Sequence, residues 1–387
     1  MTIDFFPKTK VTGAAFCNRT IERTKLSRYI EIGRHCWIQE YRRHGKTSLV
    51  EQTISDLLQE KKIKLAYARV HLRFTADAEN VAKKIISAVD SLTYAILTSK
   101  LDNKDVSNLL TRGSEILANA FQKLTPSLRI ENSKIKVSTT DIYDLDTLEA
   151  SLKGLDQLAK KFNVRAVLFI DEFQEIGKLK NHMQVESSIR ECLEDAEATT
   201  FILAGSERAL MSQALTDQKR PLFNHTQTFE LSRIESEHYK LHLNKLAIDR
   251  WAEELPNKSL EKIMFLTQRH PYYVNSLCDE LWLLDSLPSP EDVESAWQYV
   301  VQIASRENAH EITSLTPNER KVIMGIAKGI NTKMTSSKVA TKLNLATSSI
   351  ESAIKQLVKN DTIGYELKSK SYYVVDPALA TIAIMES

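Results

Sequence analysis

WIQEYRRHGKTSLV, residues 37–50, is the stretch whose reading decides the fold. Trp37 and Ile38 read as a buried strand and a tight loop follows. A helix then opens at Gly45-Lys46-Thr47-Ser48, with apolar residues at Leu49, Val50, Ile54, Leu57 and Leu58. The first N–H groups of a helix lack intrahelical partners and so suit an anion. A glycine lets the backbone approach a phosphate, a lysine reaches the β- and γ-phosphates, and a hydroxyl serves Mg²⁺. Gly45, Lys46 and Thr47 supply these three in order, with Arg43, His44 and Ser48 beside them. The pattern GxxxxGK[ST] puts its first glycine where this chain has Glu40. GKT alone therefore fits a surface turn as well as a phosphate loop, and Arg42 and Arg43 fit a solvated loop as well as a phosphate or subunit contact.

The decision comes from downstream. RAVLFIDEFQEI (165–176) holds five consecutive apolar residues, Ala166 to Ile170, as a parallel strand buried on both faces would, and Asp171-Glu172 sit where it emerges. In a P-loop fold the first acid holds Mg²⁺ and the second polarises the attacking water. TTFILAGS (199–206) reads as a further strand ending in Gly205-Ser206, a polar tip within reach of a γ-phosphate. Ligands in open α/β sheets bind at the carboxyl ends of strands, so three strands each ending in a suitable group support one another.

Around this frame, KLAYARVHL (64–72) reads as a strand and residues 78–123 as mainly helical: Val81, Ile85, Ile86 and Val89 recur at helical spacing, as do Ile116, Leu117 and Phe121. LRIENSKIKV (128–137) fits a short hairpin, and Leu145 to Leu158 mark one face of a helix. Residues 75–160 are read as an insertion-like helical region without an assigned job. The expected core runs to residue 234. A helical domain follows over 235–312, and a helix-helix-helix-hairpin layout of winged helix-turn-helix type over 313–387.

Composition sets bounds. The chain has 387 residues and a formal net charge of +2, which gives no whole-chain case for nucleic acid or an anionic membrane. The four cysteines have no CxxC spacing and read as reduced core residues. His35, His44, His225 and His270 have no metal-ligand spacing. No apolar stretch is long enough to span a bilayer and the first residues lack signal-peptide order, so a cytoplasmic chain without a membrane partner is expected.

Taken together these segments resemble the archaeal-type ATPases of the STAND branch of the AAA+ class over essentially the whole chain. The resemblance rests on FxxRxxE at Phe16, Arg19 and Glu22; RRxGKTSL at Arg42 to Leu49; FIDEFQEI at Phe169 to Ile176; AGSE at Ala204 to Glu207; PLF at Pro221 to Phe223; HPYY at His270 to Tyr273; and DPAL at Asp376 to Leu379. It implies an α/β, AAA+-type P-loop NTPase with a parallel sheet, followed by an α-helical lid and a winged helix-turn-helix, with ATP bridging core and lid. It further implies that Lys46 and Thr47 take phosphates and Mg²⁺, Asp171 the metal, Glu172 the catalytic role and Ser206 that of first sensor. Pro271 would lie against the nucleotide, and the region of Arg19 beside the adenine. The chain departs from the family at Asn18 and Arg269, where glycines are usual, at Glu40-Tyr41 for Gly-Pro, and at Asn224-His225 for Gly-Arg. If the missing arginine supplies transition-state charge, its loss costs on the order of 10³ in rate unless Arg208, Arg220 or a neighbouring subunit compensates.

Three functions follow as expectations. The first is a STAND-type switch, with ATP and ADP states relayed through lid and winged helix to a partner protein or a homo-oligomer; relatives of that class act in stress or antiviral defence. The second is a DNA-engaging ATPase similar to replication initiators or transposition regulators, with double-stranded DNA met by Lys355, Lys359, Lys368 and Lys370. The third is a scaffold that binds nucleotide without hydrolysis.

Overall fold

The structure, a computed structural model, describes residues 5–98, 128–131, 134–137, 143–307 and 309–385. It divides into two compact units. One comprises Thr20–Glu40 and Leu49–Leu231, the other Met1–Arg19, Tyr41–Ser48 and Ser232–Ser387. In chain order the first unit carries α1 (Thr20–Glu31), β1 (Cys36–Gln39), α2 (Lys46–Glu60), β2 (Leu65–His71), α3 (Ala78–Thr98), a hairpin of β3 (Leu128–Glu131) and β4 (Lys134–Val137), α4 (Leu145–Phe162), β5 (Arg165–Asp171), α5 (Gln174–Gly177), α6 (His182–Asp195), β6 (Thr199–Ala204), α7 (Arg208–Thr216) and β7 (Gln227–Glu230). The opening residues of α2, Lys46 to Ser48, belong to the second unit. The helix expected around Ile116, Leu117 and Phe121 lies outside the described residues.

Five strands form one all-parallel sheet in the order β2-β5-β6-β1-β7. Register runs from Leu65↔Arg165 to His71↔Asp171, with Phe169↔Ile202 and Cys36↔Ile202 further across. The unbroken apolar run of β5 is thereby explained. Ala166, Leu168 and Ile170 join a core with Phe201 and Leu203, while Val167 and Phe169, pointing the other way, are buried too. On the opposite face α1 and α2 bury Leu26, Ile30, Ile54 and Leu57, and Arg23 of α1 holds Asp56 of α2 at 2.7 Å.

Two helices of the stretch read as insertion-like belong to the sheet's own core. Val81, Ile85, Ile86 and Val89 of α3 and Leu148, Leu152 and Leu155 of α4 share one cluster with β5 and β6. Sequence spacing shows an apolar stripe but not which surface it covers, and this stripe covers the sheet.

The second unit contains α8 (Ser236–Trp251), α9 (Asn257–Leu266), α10 (Pro271–Leu281), α11 (Pro290–Glu307), α12 (Ala309–Ser314), α13 (Pro317–Ala327), α14 (Ser337–Leu343), α15 (Thr347–Lys359), β8 (Ile363–Glu366), β9 (Ser371–Val374) and α16 (Pro377–Met385). Thr316 and Glu319 close a reciprocal cap on α13, with Pro317 at its first position. Pairing of β8 with β9 completes the winged helix. The terminal helix α16, PALATIAIM, is apolar all round because two cores claim it. Ala378 and Ile382 enter the cluster of α8–α11, and Leu379 and Ala380 that of α13–α15. Among the described residues no helix is long and apolar enough to cross a membrane.

Candidate nucleotide site

The residues read as a nucleotide site fall in both units, so each set is built separately. In the sheet unit the chain leaves β5 at Asp171, passes Glu172 and turns onto its neighbour, Phe173 N–H donating to Ala204 O at 2.8 Å. Glu172 sits at φ +57°, a left-handed conformation costly for any residue with a Cβ. Asp171 is buried and accepts from Arg69 Nη2 at 2.6 Å on the adjacent β2. Ser206 donates through Oγ to Glu172 Oε2 at 2.6 Å. The structure thus brings Asp171, Glu172 and Ser206 to the ends of two neighbouring strands.

In the second unit the candidate phosphate loop is turned by two left-handed residues, Arg43 at φ +63° and Gly45 at φ +85°. A Cβ at Gly45 would meet nothing within 4 Å, so the backbone there faces open space, as approach by a phosphate requires. Lys46 is 8% exposed and donates from Nζ to Tyr41 O at 2.8 Å. The Ser48 hydroxyl accepts from Val11 N–H at 3.0 Å and so also anchors the N-terminal segment.

Arg19 is 3% exposed and spans the unit, donating to Ser232 O at 2.8 Å and to His44 O at 3.2 Å. The His44 ring meets the His270 ring edge-on at 4.3 Å. His270 caps α10, and Pro271 is the first residue of that helix. The Arg43 guanidinium lies 4.2 Å from the centre of the Tyr272 ring and pairs with Glu307 at 3.3 Å. Burial first, then the nearby His44, Arg233 and Arg43, hold the His270 imidazole well below its ordinary pKa, so the ring is kept neutral. Arg19, Arg43, His44, Lys46 and Pro271, far apart in sequence, are therefore gathered in one unit.

The glycine positions of the family that the sequence resembles acquire a reason. Asn18, Arg269 and Asn224 stand where glycine is usual, and all three have positive φ, at +49°, +60° and +61°. The chain keeps the turns and accepts the strain. Of the arginines considered as substitutes for the one missing after PLF, Arg220 is buried and held through two nitrogens by Glu186, which fixes it within its own unit. His225 pairs with Glu194 at 3.4 Å.

Two residues without a role in the sequence reading matter here. Tyr41, noted only as a departure, is buried, and its ring stands at 89° to Tyr373 of β9 with centroids 6.4 Å apart. Gln174, quoted only as part of FIDEFQEI, is 2% exposed and bonded to both Glu172 and Ser206. Burial of a glutamine beside an acidic pair is the signal that a motif reading lacks.

Asp171 in the sheet unit and, separately, Thr47 in the other unit each offer a hard oxygen donor of the kind Mg²⁺ takes from proteins, one or two at a time with water filling the rest. Arg69 on Asp171 is the group a cation would have to displace or share with. Among the described residues no group of three or more His, Cys, Asp and Glu could hold a metal ion.

Comparison with known proteins agrees with this architecture. A family model described as "Probable winged helix domain" matches residues 308–382. A Walker-type ATPase of Pyrococcus abyssi has 16% identity and a TM-score of 0.67, over 98% of this chain and 99% of that one. The ORC2 protein of Aeropyrum pernix, solved as ADPNP-ADP complexes, has 14% identity and a TM-score of 0.58, over 98% and 95%. A search of curated proteins gives no match. The fold is a five-stranded parallel sheet with packed helices, matched by these two solved structures, together with a C-terminal winged helix domain.

Proposed function

We propose that this chain is an ATP-binding and slowly hydrolysing switch of the STAND type, in which the phosphate loop passes nucleotide state to the helical lid and the winged helix. The observation that carries the reading is the seating of three loop side chains. Tyr41 rests on the wing, Arg43 on Tyr272 and Glu307, and His44 on His270. A loop that tightens on phosphate would pull on all three. Differential contact in two nucleotide states is what a ligand needs to shift a conformational equilibrium.

In this reading Lys46 neutralises the β- and γ-phosphates, Thr47 would offer its hydroxyl to Mg²⁺, and Asp171 would offer a carboxylate to such a cation, whose chemistry would be to draw charge from phosphate oxygens. Glu172 orients and polarises the attacking water, and Ser206 meets the γ-phosphate. Arg19, through its hold on His44 O, fixes the loop beside the adenine side, with Pro271 facing the nucleotide.

A second reading, a DNA-engaging ATPase, is favoured by the exposure of Lys355 and Lys359 on α15 and of Lys368 and Lys370 on the wing. Turnover of wild type, Lys46→Ala and Glu172→Gln, with and without double-stranded DNA, separates the readings. The switch predicts slow, DNA-indifferent turnover with an ATP-dependent change in size. Lys46→Ala should lose about 10²-fold or more in turnover, and Glu172→Gln should lose turnover but keep ATP binding. DNA-stimulated turnover lost in both variants would favour the second reading. ATP binding without turnover under any condition would leave a nucleotide-binding scaffold.

A further inference from the structure

We propose that Gln174 is the positioning residue of the catalytic carboxylate, its side-chain amide locking Glu172 and Ser206 into one unit. The inference rests on the reading of Glu172 as catalytic. Gln174 Nε2 donates to Glu172 Oε2 at 2.5 Å and to Ser206 Oγ at 3.3 Å, while its Oε1 accepts the Ser206 N–H at 3.2 Å. The amide has only one workable orientation. Ser206 N–H must face an oxygen and the Glu172 carboxylate must face an N–H. Ser206 Oγ closes the ring by donating to the same Glu172 Oε2 at 2.6 Å.

The surroundings make room for this amide and no more. A Cβ on Gly205 would run into Gln174 Oε1 and would lie 2.6 Å from Met211 Sδ, so the residue before Ser206 is bare where the glutamine lies against it. The strained backbone of Glu172, at φ +57°, is held from both sides, by this ring and by the bond of Phe173 N–H to β6.

The ring has a chemical consequence. The Ser206 hydroxyl owns one proton, which it gives either to Glu172 Oε2, as here, or to a γ-phosphate oxygen. When ATP takes that proton's hydrogen bond, Oε2 loses the Ser206 donor. It becomes the better acceptor for a water, while Gln174 keeps the carboxylate in place. Ser206 thereby reports the γ-phosphate to Glu172 through a single shared proton, and Gln174 maintains the geometry through the exchange.

The test compares single-turnover hydrolysis and equilibrium ATP binding for wild type, Gln174→Ala, Gln174→Glu, Gly205→Ala and Glu172→Gln. Gln174→Glu keeps the volume and the acceptor for Ser206 N–H but removes the donor to Glu172. Both Gln174 variants should bind ATP within about 3-fold of wild type and turn over roughly 10- to 100-fold more slowly. Gly205→Ala should do the same by displacing the amide. Wild-type-like turnover in Gln174→Ala and Gln174→Glu, alongside an inactive Glu172→Gln, would overturn the positioning role and leave the ATPase reading standing. ATP binding without wild-type turnover would overturn both.

Discussion

The acid end of the sheet and the candidate phosphate loop are braced in opposite ways. Around Glu172 the supports are near at hand: Asp171, Phe173 and Gln174 lie within two residues, and Ser206 and Ala204 come from the neighbouring strand. Around Lys46 they come from the far end of the chain. Ser232, His270, Tyr272, Glu307 and Tyr373 reach residues 19, 41, 43 and 44 across hundreds of positions. Local bracing gives a rigid candidate catalytic pair that depends on one sheet alone. Remote bracing gives a loop whose shape is a joint property of the helices over 236–314, the wing and the N-terminal segment, and that is the arrangement expected where another segment has to sense a ligand.

The sharpest way to break this contrast is Arg19→Ala. It removes the donor of the buried bond to His44 O and of the part-buried bond to Ser232 O, and loss of such a network costs about 3 kcal/mol. Thermal unfolding should fall by several degrees and ATP binding should weaken with it. An Arg19→Ala chain with intact stability and ATP affinity would show that the loop holds its shape without remote help.

Gly364→Ala probes the wing alone. A Cβ there would stand 2.7 Å from Tyr41 Oη and 2.5 Å from Tyr373 Oη, so one of the two rings must move, at a cost of about 1–3 kcal/mol. Through the loop this should weaken ATP binding by an amount equivalent to about 0.5–2 kcal/mol of coupling, measured by titration with a fluorescent ATP analogue. Unchanged affinity would reduce the Tyr41 contact to packing, and tighter binding would make the wing a brake.

The smallest effect is a pH slope. His270 is held neutral with its pKa below the ordinary value, so stability is complete above about pH 6.5. As pH falls below that value the unfolded chain takes up a proton that the folded one refuses, and stability declines. Urea unfolding of wild type and His270→Gln between pH 7.5 and 5 should show wild type losing more stability on acidification. Asp376, whose carboxyl burial pushes up, acts in the opposite sense but is common to both chains, so the difference isolates His270.

Some of this was legible from the residues. The apolar run of β5 with its terminal acids, the helix opening at Lys46, and the three helices and hairpin of the winged helix all follow from local pattern, and the structure has each of them. The role of α3 was not legible, because an apolar stripe does not name the surface it meets. The left-handed backbone at Asn18, Asn224 and Arg269 was hinted at only through the family's glycines, since the residues present here give no such signal.

By itself, then, the sequence determined the elements and the chemistry at their ends: buried strands finishing in Asp171-Glu172 and in Ser206, and a glycine, a lysine and a threonine at a helix start. These depend on hydrophobic period, backbone propensity and side-chain type, all of which are local. Only the tertiary structure decided that Gln174 clasps Glu172 and Ser206, that Tyr41 lies on the wing, and that Arg19 ties the loop to Ser232. Such contacts are set by which distant surfaces bury one another, and no short-range pattern encodes that choice.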